Sequence, residues 1–137
     1  MSKAIEDVFA ERRRQIEAEG WTAKHDDAHG KGKLLLAARA YFAHATDRAL
    51  SQPRGDRAGI PFEWPWDKKW WKPKSPRKDL VRAGALALAE IDRIKRRFAL
   101  RAEHRYVDAE AHYGLIIAEI ERIDCDPAST AKGQADE

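Results

Sequence analysis

Residues 75–98, which read SPRKDLVRAGALALAEIDRIKRRF, decide the fold. Ser75 and Pro76 form a typical helix start, because a serine hydroxyl caps free backbone N–H groups and proline fits the first helical position. Apolar residues and one glycine follow at spacings of three and four, at Leu80, Val81, Gly84, Leu88, Ile91, Ile94 and Phe98. This spacing predicts a long helix with one face packed against a core.

Two helices are predicted before this one. The first extends from a cap at Ser2 to about Glu19, where Gly20 follows as a stop. The second extends over about Lys33–Leu50, and Trp21–Gly32 between them reads as a loop. Because the second helix is apolar on most sides, we expect it at the centre of the bundle, packed on the first and third helices. In the first helix we expect one apolar face, formed by Ile5, Val8, Phe9 and Ile16.

A fourth helix is predicted from near Asp108. Its segment 118–123 repeats the pattern of segment 89–94, so one continuous helix or two separate helices are possible, and two helices are the commoner arrangement. Residues 126–137 lack apolar anchors and are expected to form a flexible tail. The prediction is a single domain over residues 1–125: an all-α four-helix bundle with a long Trp/Pro/Lys-rich loop between the second and third helices.

The composition fits one small domain with a mildly basic surface. The 137 residues include 26 basic and 23 acidic side chains, and the net charge is +3. This excess permits an anionic partner without requiring one. The single cysteine, Cys125, excludes an internal disulfide, and neither a signal peptide nor a membrane-spanning stretch is evident. We therefore expect a cytoplasmic protein with no membrane partner.

The segment 61–74, PFEWPWDKKWWKPK, holds four of the five tryptophans among lysines and prolines. Indole rings stack on flat rings, and lysines meet phosphate oxygens. The segment predicts a platform for a nucleotide-like phosphorylated ligand. The alternative is that the indoles close the core while the lysines are solvated, and we expect a mixture, with two indoles buried and one or two at the edge of a pocket. The predicted ligand-binding residues are Trp21, His25, Trp66, Lys69, Trp70, Trp71, Lys72, Arg77 and Lys78.

Two smaller groups of residues also have side chains suited to ligand binding. The helix start with Arg77 and Lys78 is typical of an anion site, although a solvated first turn is equally compatible. The run His25, Asp26, Asp27 and His29 offers ligands for magnesium (Mg²⁺) or manganese (Mn²⁺). Turn formation and helix capping are the favoured alternative for this run.

Several strings in residues 6–94 resemble small, largely uncharacterised proteins of phages and prophages. These strings are ERRRQ (11–15), GWT (20–22), HDDAH (25–29), WPWD (64–67), WWKP (70–73) and RKDLVRAGAL (77–86). More distantly, the layout is similar to the MazG-like nucleoside triphosphate pyrophosphohydrolases, which are all-α. The second predicted helix lacks the Glu-Glu-x-x-Glu motif that holds magnesium in that family, although Glu121 and Asp124 provide a Glu-x-x-Asp. The resemblance implies a nucleotide-shaped cavity and, in a phage setting, sequestration of a host defence signalling nucleotide.

The leading hypothesis is non-catalytic binding of a nucleotide-type ligand. One alternative is a protein-interaction inhibitor of a host complex that uses the indoles as anchors. A second is a metal-dependent nucleotide hydrolase built on His25, Asp26, Asp27 and His29. A nucleic-acid accessory role is less favoured, because no recognised DNA-reading motif accompanies the basic residues. We expect a homo-oligomer, since the third and fourth helices carry apolar faces that a small bundle would not fully cover.

Overall fold

The computed structural model describes residues 2–28, 32–50, 59–97 and 107–126, apart from the side chains of residues 47–50, 97, 107 and 108. This part of the chain contains no strand, and its helices are α1 (Lys3–Glu17), α2 (Ala23–Asp27), α3 (Lys33–Leu50), α4 (Pro76–Arg97) and α5 (Val107–Cys125). Four of them are long and pack together. The all-α four-helix prediction is confirmed, including the long connection between α3 and α4.

The helix at the centre of the bundle is α4, which contacts α1, α2, α3 and α5. The expectation that α3 would be central is wrong. The reason lies in the small residues of α4, since Ala83 and Ala87 are buried on one side of this helix and Ala85 and Ala89 on the other. Small side chains let neighbouring helices approach closely from several directions. A helix can therefore be buried nearly all round without being rich in large apolar residues.

Local capping explains where α1 and α4 begin. The Ser2 hydroxyl accepts a hydrogen bond from the backbone N–H of Ile5, and the Ser75 hydroxyl accepts one from that of Lys78. α1 ends at Glu17, slightly earlier than predicted, and Gly20 then adopts the left-handed backbone (φ +73°) expected of a stop.

The helix α2 lies within a stretch that was predicted as a loop. The Thr22 hydroxyl caps it by accepting a hydrogen bond from the backbone N–H of His25. The helix has only 5 residues, so it shows no apolar periodicity that could reveal it in the sequence.

The helices α4 and α5 are separate and antiparallel. Arg77 near the start of α4 pairs with Asp124 near the end of α5, at 2.6 Å. Farther along, Gly84 of α4 faces Ile116 of α5. The favoured interpretation of the repeated sequence pattern, two helices, is therefore correct. The predictions for Phe98 and for the tail after residue 126 lie outside the described residues.

The buried face of α1 differs from the prediction. Ala4, Val8 and Gln15 are its fully buried residues, whereas Phe9 and Ile16 are each about 40% exposed. Buried positions at intervals of four and seven still follow one helical stripe. The stripe is rotated, so that a glutamine rather than an isoleucine faces inward.

No described helix is long and apolar enough to cross a bilayer.

Candidate functional site

Residues 59–75, here called the tryptophan loop, are held in shape by their own hydrogen bonds. The indole N–H of Trp64 donates to the backbone oxygen of Asp67 at 3.0 Å. The Asp67 carboxylate in turn accepts from the backbone N–H of Lys69 at 2.9 Å and caps a short 3-10 helix, Lys68–Trp70. The loop therefore presents its side chains from a defined backbone.

Aromatic rings anchor this loop to α3. The ring of Trp71 stacks on that of Tyr41 at 4.6 Å between centroids, and Trp64 meets both rings edge-on. Trp66 meets Trp64 edge-on at 5.3 Å. These three indoles are half-buried, whereas Trp70 is 58% exposed. Packed and exposed indoles therefore occur together, but the expectation that two of them would be buried is wrong, because none of the four is fully buried.

A cavity of about 1150 Å³ lies between the tryptophan loop and helices α1, α3 and α4. This volume is large enough for a nucleotide-sized molecule. Its aromatic lining comprises Trp21, His25, Tyr41, Trp64, Trp66 and Trp70. Its charged lining comprises the basic residues Lys3, Arg14, Lys72, Lys74, Arg77, Lys78 and Arg82, and the acidic residues Asp7, Glu11, Glu19 and Asp67.

The cavity brings together seven of the nine predicted ligand-binding residues. These are Trp21, His25, Trp66, Trp70, Lys72, Arg77 and Lys78. The other two lie outside the lining. Trp71 is turned against Tyr41 and His44, and the Lys69 ammonium lies over the Trp70 ring, 5.2 Å from its centroid.

Two arginines of the lining are already neutralised by carboxylates. Arg77 bonds Asp124 at 2.6 Å and Asp7 at 2.9 Å, so it ties α4 to α5 and to α1. Its hydrogen bond to Asp124 holds the pKa of that carboxyl below its ordinary value. Arg14 is paired in the same way with Glu11 and Glu19, and these bonds raise the pKa of its guanidinium.

The start of α4 is partly filled by the protein's own oxygens. The Ser75 hydroxyl accepts a hydrogen bond from the backbone N–H of Lys78. The buried Asp79 carboxylate accepts one from the backbone N–H of Lys74 at 2.7 Å. Because these acceptors occupy the N-terminal turn, the predicted anion site there has less free donor capacity than the sequence suggested.

Arg82 and Lys72 present the remaining positive charge beside the aromatic wall. The Arg82 guanidinium lies 5.2 Å from the centre of the Tyr41 ring and donates to the Lys72 backbone oxygen at 2.7 Å. Its partners are neutral oxygens, since it also donates to the Tyr41 hydroxyl at 3.2 Å. The Lys72 side chain is exposed and has no ion pair among the described residues.

The segment around His25 forms a hydrogen-bonded scaffold at one end of the cavity. The rings of Trp21 and His25 are parallel at 5.8 Å. The fully buried Asp26 accepts a hydrogen bond from Arg12 at 2.7 Å and lies 3.2 Å from the His25 ring nitrogen. Asp27 points elsewhere and pairs with Arg96 at 2.7 Å.

This arrangement gives no support to the magnesium or manganese hypothesis. Asp26 and Asp27 bind different arginines. Where the chain is described, no three His, Cys, Asp or Glu side chains are grouped so that they could hold a metal ion. His29 lies outside the described residues. The geometry of the other three residues fits the turn-scaffold alternative.

Gln15 is a cavity residue that the sequence reading missed. Its side chain is fully buried, it lines the cavity together with the buried Leu34 and Leu86, and neither amide atom has a hydrogen-bond partner among the described residues. Leaving such a group unpaired costs about 1–3 kcal/mol. The signal was present, because Gln15 continues the stripe of Ala4 and Val8, but a glutamine is usually assigned to the solvent side.

Comparison with protein-family models, curated proteins and solved structures finds no match for this chain. The similarity to phage proteins and to MazG-like enzymes therefore stays a prediction.

Proposed function

We propose that this chain binds a nucleotide-type phosphorylated small molecule in the cavity beneath the tryptophan loop, without carrying out a reaction on it. The observation that carries the proposal is that one cavity is lined by both aromatic rings and basic side chains. A base with a phosphate attached needs both kinds of contact.

The aromatic contribution comes from rings held in place by the fold. Trp66 packs against Trp64, and Trp21 packs against His25, so both present rings of fixed orientation to the cavity. The exposed Trp70 stands on the 3-10 helix of the loop. Stacking of a base on such a ring contributes roughly 1–3 kcal/mol to binding.

The phosphate contacts are assigned to Lys72 and Arg82. Arg14 and Arg77 already bind carboxylates, and an anion would have to compete with these. Arg82 instead bonds two neutral oxygens and is free to add a charged acceptor. A guanidinium and an ammonium together offer the donors that a phosphate prefers.

Binding is favoured over catalysis because three of the four acidic side chains that line the cavity pair with arginines. Asp7 pairs with Arg77, and Glu11 and Glu19 pair with Arg14. A carboxylate that acts as a general acid or base needs an available oxygen within hydrogen-bond reach of the substrate. The fourth acidic residue, Asp67, caps the 3-10 helix of the loop, and the ring of His25 lies 3.2 Å from the buried Asp26 carboxylate.

The proposal is tested by isothermal titration calorimetry with ATP, ADP, AMP and the corresponding guanine, cytosine and uracil nucleotides. We expect at least one to bind, and we expect Trp70→Ala to weaken it by about 5-fold or more. Phe62→Ala is the matched control, because Phe62 is an aromatic residue of the same loop, 82% exposed and outside the cavity lining.

A lysine pair tests the phosphate assignment in the same titration. Lys72→Ala is expected to weaken binding several-fold, whereas Lys24→Ala is expected to leave it unchanged, since Lys24 is an exposed lysine that does not line the cavity. If no nucleotide binds wild-type protein, or if the cavity variants and their controls behave alike, the proposal is wrong.

A second candidate function is anchoring to another protein. Phe62 and Trp70 are both large, exposed aromatic residues of the tryptophan loop, and such residues often dominate protein interfaces. In this case a purified partner would lose affinity for Phe62→Ala as well as for Trp70→Ala, and nucleotides would have no effect.

A further inference from the structure

We propose that Gln15 reads the hydrogen-bonding edge of a nucleobase, so that the ligand is a base-bearing phosphate rather than a sugar phosphate or polyphosphate. This inference rests on the proposed function and specifies which part of the ligand enters deepest.

The Gln15 side chain is 0% exposed, and its amide donor and acceptor both lack a hydrogen-bond partner among the described residues. Nearly all buried polar groups in proteins are hydrogen-bonded, so an orphan pair of this kind indicates that something else supplies the bonds.

Gln15 lines the same cavity as the tryptophan loop, among apolar side chains that include Leu34 and Leu86. The Gln15 backbone oxygen accepts a hydrogen bond from the backbone N–H of Trp21 at 3.0 Å. This bond holds the backbone of Trp21 close to Gln15. Because the amide atoms are closed to solvent in this structure, a ring stacked in this region reaches them only when neighbouring side chains move aside.

The hydrogen-bonding groups of a glutamine amide complement those of a nucleobase edge. A glutamine amide offers one acceptor oxygen and a donor NH₂ side by side. Nucleobases present an adjacent donor and acceptor on one edge, and glutamine pairs with adenine in this bidentate way. A phosphate has acceptors only, and a sugar lacks a rigid, planar pair. A base-like edge therefore satisfies both amide atoms together, which neither a phosphate nor a sugar does.

Buried water is the competing occupant, because it also satisfies isolated amides. The two possibilities differ in what happens when the amide is removed. If water completes a structural network, loss of the amide lowers the stability of the ligand-free protein. If the amide waits for a ligand, an apolar side chain of similar length leaves stability unchanged or raises it, since an unpaired buried polar group is removed.

The experiment uses the full chain and the variant Gln15→Met. Calorimetry compares AMP, GMP, CMP and UMP with ribose 5-phosphate. It then compares the tightest of the four with an analogue blocked on its pairing edge: the 1,N⁶-etheno form of AMP, the N1-methyl form of GMP, the 3,N⁴-etheno form of CMP or the N3-methyl form of UMP. Thermal unfolding of ligand-free protein is measured alongside.

We expect one monophosphate to bind wild-type protein at least about 10-fold more tightly than ribose 5-phosphate and than its own blocked analogue. Gln15→Met should abolish this preference, leave ribose 5-phosphate binding unchanged and leave the melting temperature equal or higher.

Three results would overturn the inference. If ribose 5-phosphate binds as tightly as every monophosphate, phosphate binding stands and base reading fails. If Gln15→Met weakens all ligands alike and lowers the melting temperature, Gln15 is structural. If no compound binds wild-type protein, the proposed function fails as well.

Discussion

At the scale of single residues, Gly84 shows how closely α1 approaches α4. A Cβ atom added at Gly84 would lie 2.8 Å and 3.1 Å from the two methyl carbons of the buried Val8. Gly84→Ala should therefore destabilise the protein by roughly 1–3 kcal/mol through overpacking, more than the gain of up to about 1 kcal/mol in helix propensity. Urea denaturation measures the difference.

Gly114 provides the matched control, since it is also a helical glycine but has no atom within 4 Å of an added Cβ. Gly114→Ala should raise stability by about 0.5–1 kcal/mol. Adding Val8→Ala to Gly84→Ala should recover part of the loss. Equal stability of the two alanine variants would mean that α1 and α4 are farther apart than described.

What the sequence revealed at this scale depended on chemistry rather than on position. Trp70 and Lys72 stood out because indoles and lysines in a loop are unusual, and both line the cavity. Gln15 did not stand out, because a helical glutamine is common and its burial depends on the rotation of α1. Apolar periodicity alone could not settle that rotation, since Ile16 and Phe9 favoured a neighbouring face.

At the scale of elements, Arg77 joins three helices and makes stability depend on pH. Its hydrogen bond lowers the pKa of Asp124 below the ordinary value of 3.8. A lowered carboxyl pKa gives stability that is present above pH 3.8 and is lost as pH falls through the folded-state pKa. Because Asp124 is 27% exposed, we expect a contribution of about 1 kcal/mol.

Asp124→Asn should therefore lower the melting temperature at pH 7, and the difference from wild type should shrink as the pH falls below 3.8. The control is Asp92→Asn, an exposed acidic position on α4, which should change stability by less than about 0.5 kcal/mol. A pH-independent difference for Asp124→Asn would contradict the assignment.

In the tryptophan loop, Trp71 anchors the loop to the core, whereas Trp70 is mostly exposed. Trp71 stacks on Tyr41 and packs against the core, so Trp71→Ala should destabilise the protein by roughly 2 kcal/mol. Trp70→Ala should change the free energy of unfolding by less than about 0.5 kcal/mol, because this ring is mostly exposed. Denaturant unfolding of both variants tests the distinction, and a reversed order would mean that the loop packs differently.

Long helices with sustained apolar patterns were predictable, and α4 also has a clear cap at Ser75. α3 and α4 begin at the expected residues, Lys33 and Pro76. The five-residue α2 was missed because it depends on the Thr22 cap and on contact with α4 rather than on its own pattern. The central place of α4 was missed because alanines read as weakly apolar, although their small size is what lets three long helices surround it.

At the scale of the whole molecule, the homo-oligomer stays a prediction. It now rests on exposed apolar residues of α5 and no longer on those of α4. The large exposed apolar side chains of the described residues are Phe9, Ile16, Phe62, Trp70 and Leu115, and none of them belongs to α4. The uncovered apolar face expected on that helix is buried within the bundle instead. On α5 the exposed Leu115 still favours an interface with a second copy of the chain. Sedimentation velocity at several protein concentrations would test whether the protein forms oligomers.

The way the indoles are distributed also determines how the protein emits light. Four line the hollow and the fifth, Trp71, touches Trp64. Near-ultraviolet fluorescence of the intact chain hence originates from a single locality, with solvent-facing Trp70 expected at the red end of the spectrum and its half-buried companions toward the blue. The emission spectrum should change differently on ligand binding, on rearrangement of the tryptophan loop and on complete unfolding. Intrinsic fluorescence can therefore distinguish these three events without an added dye.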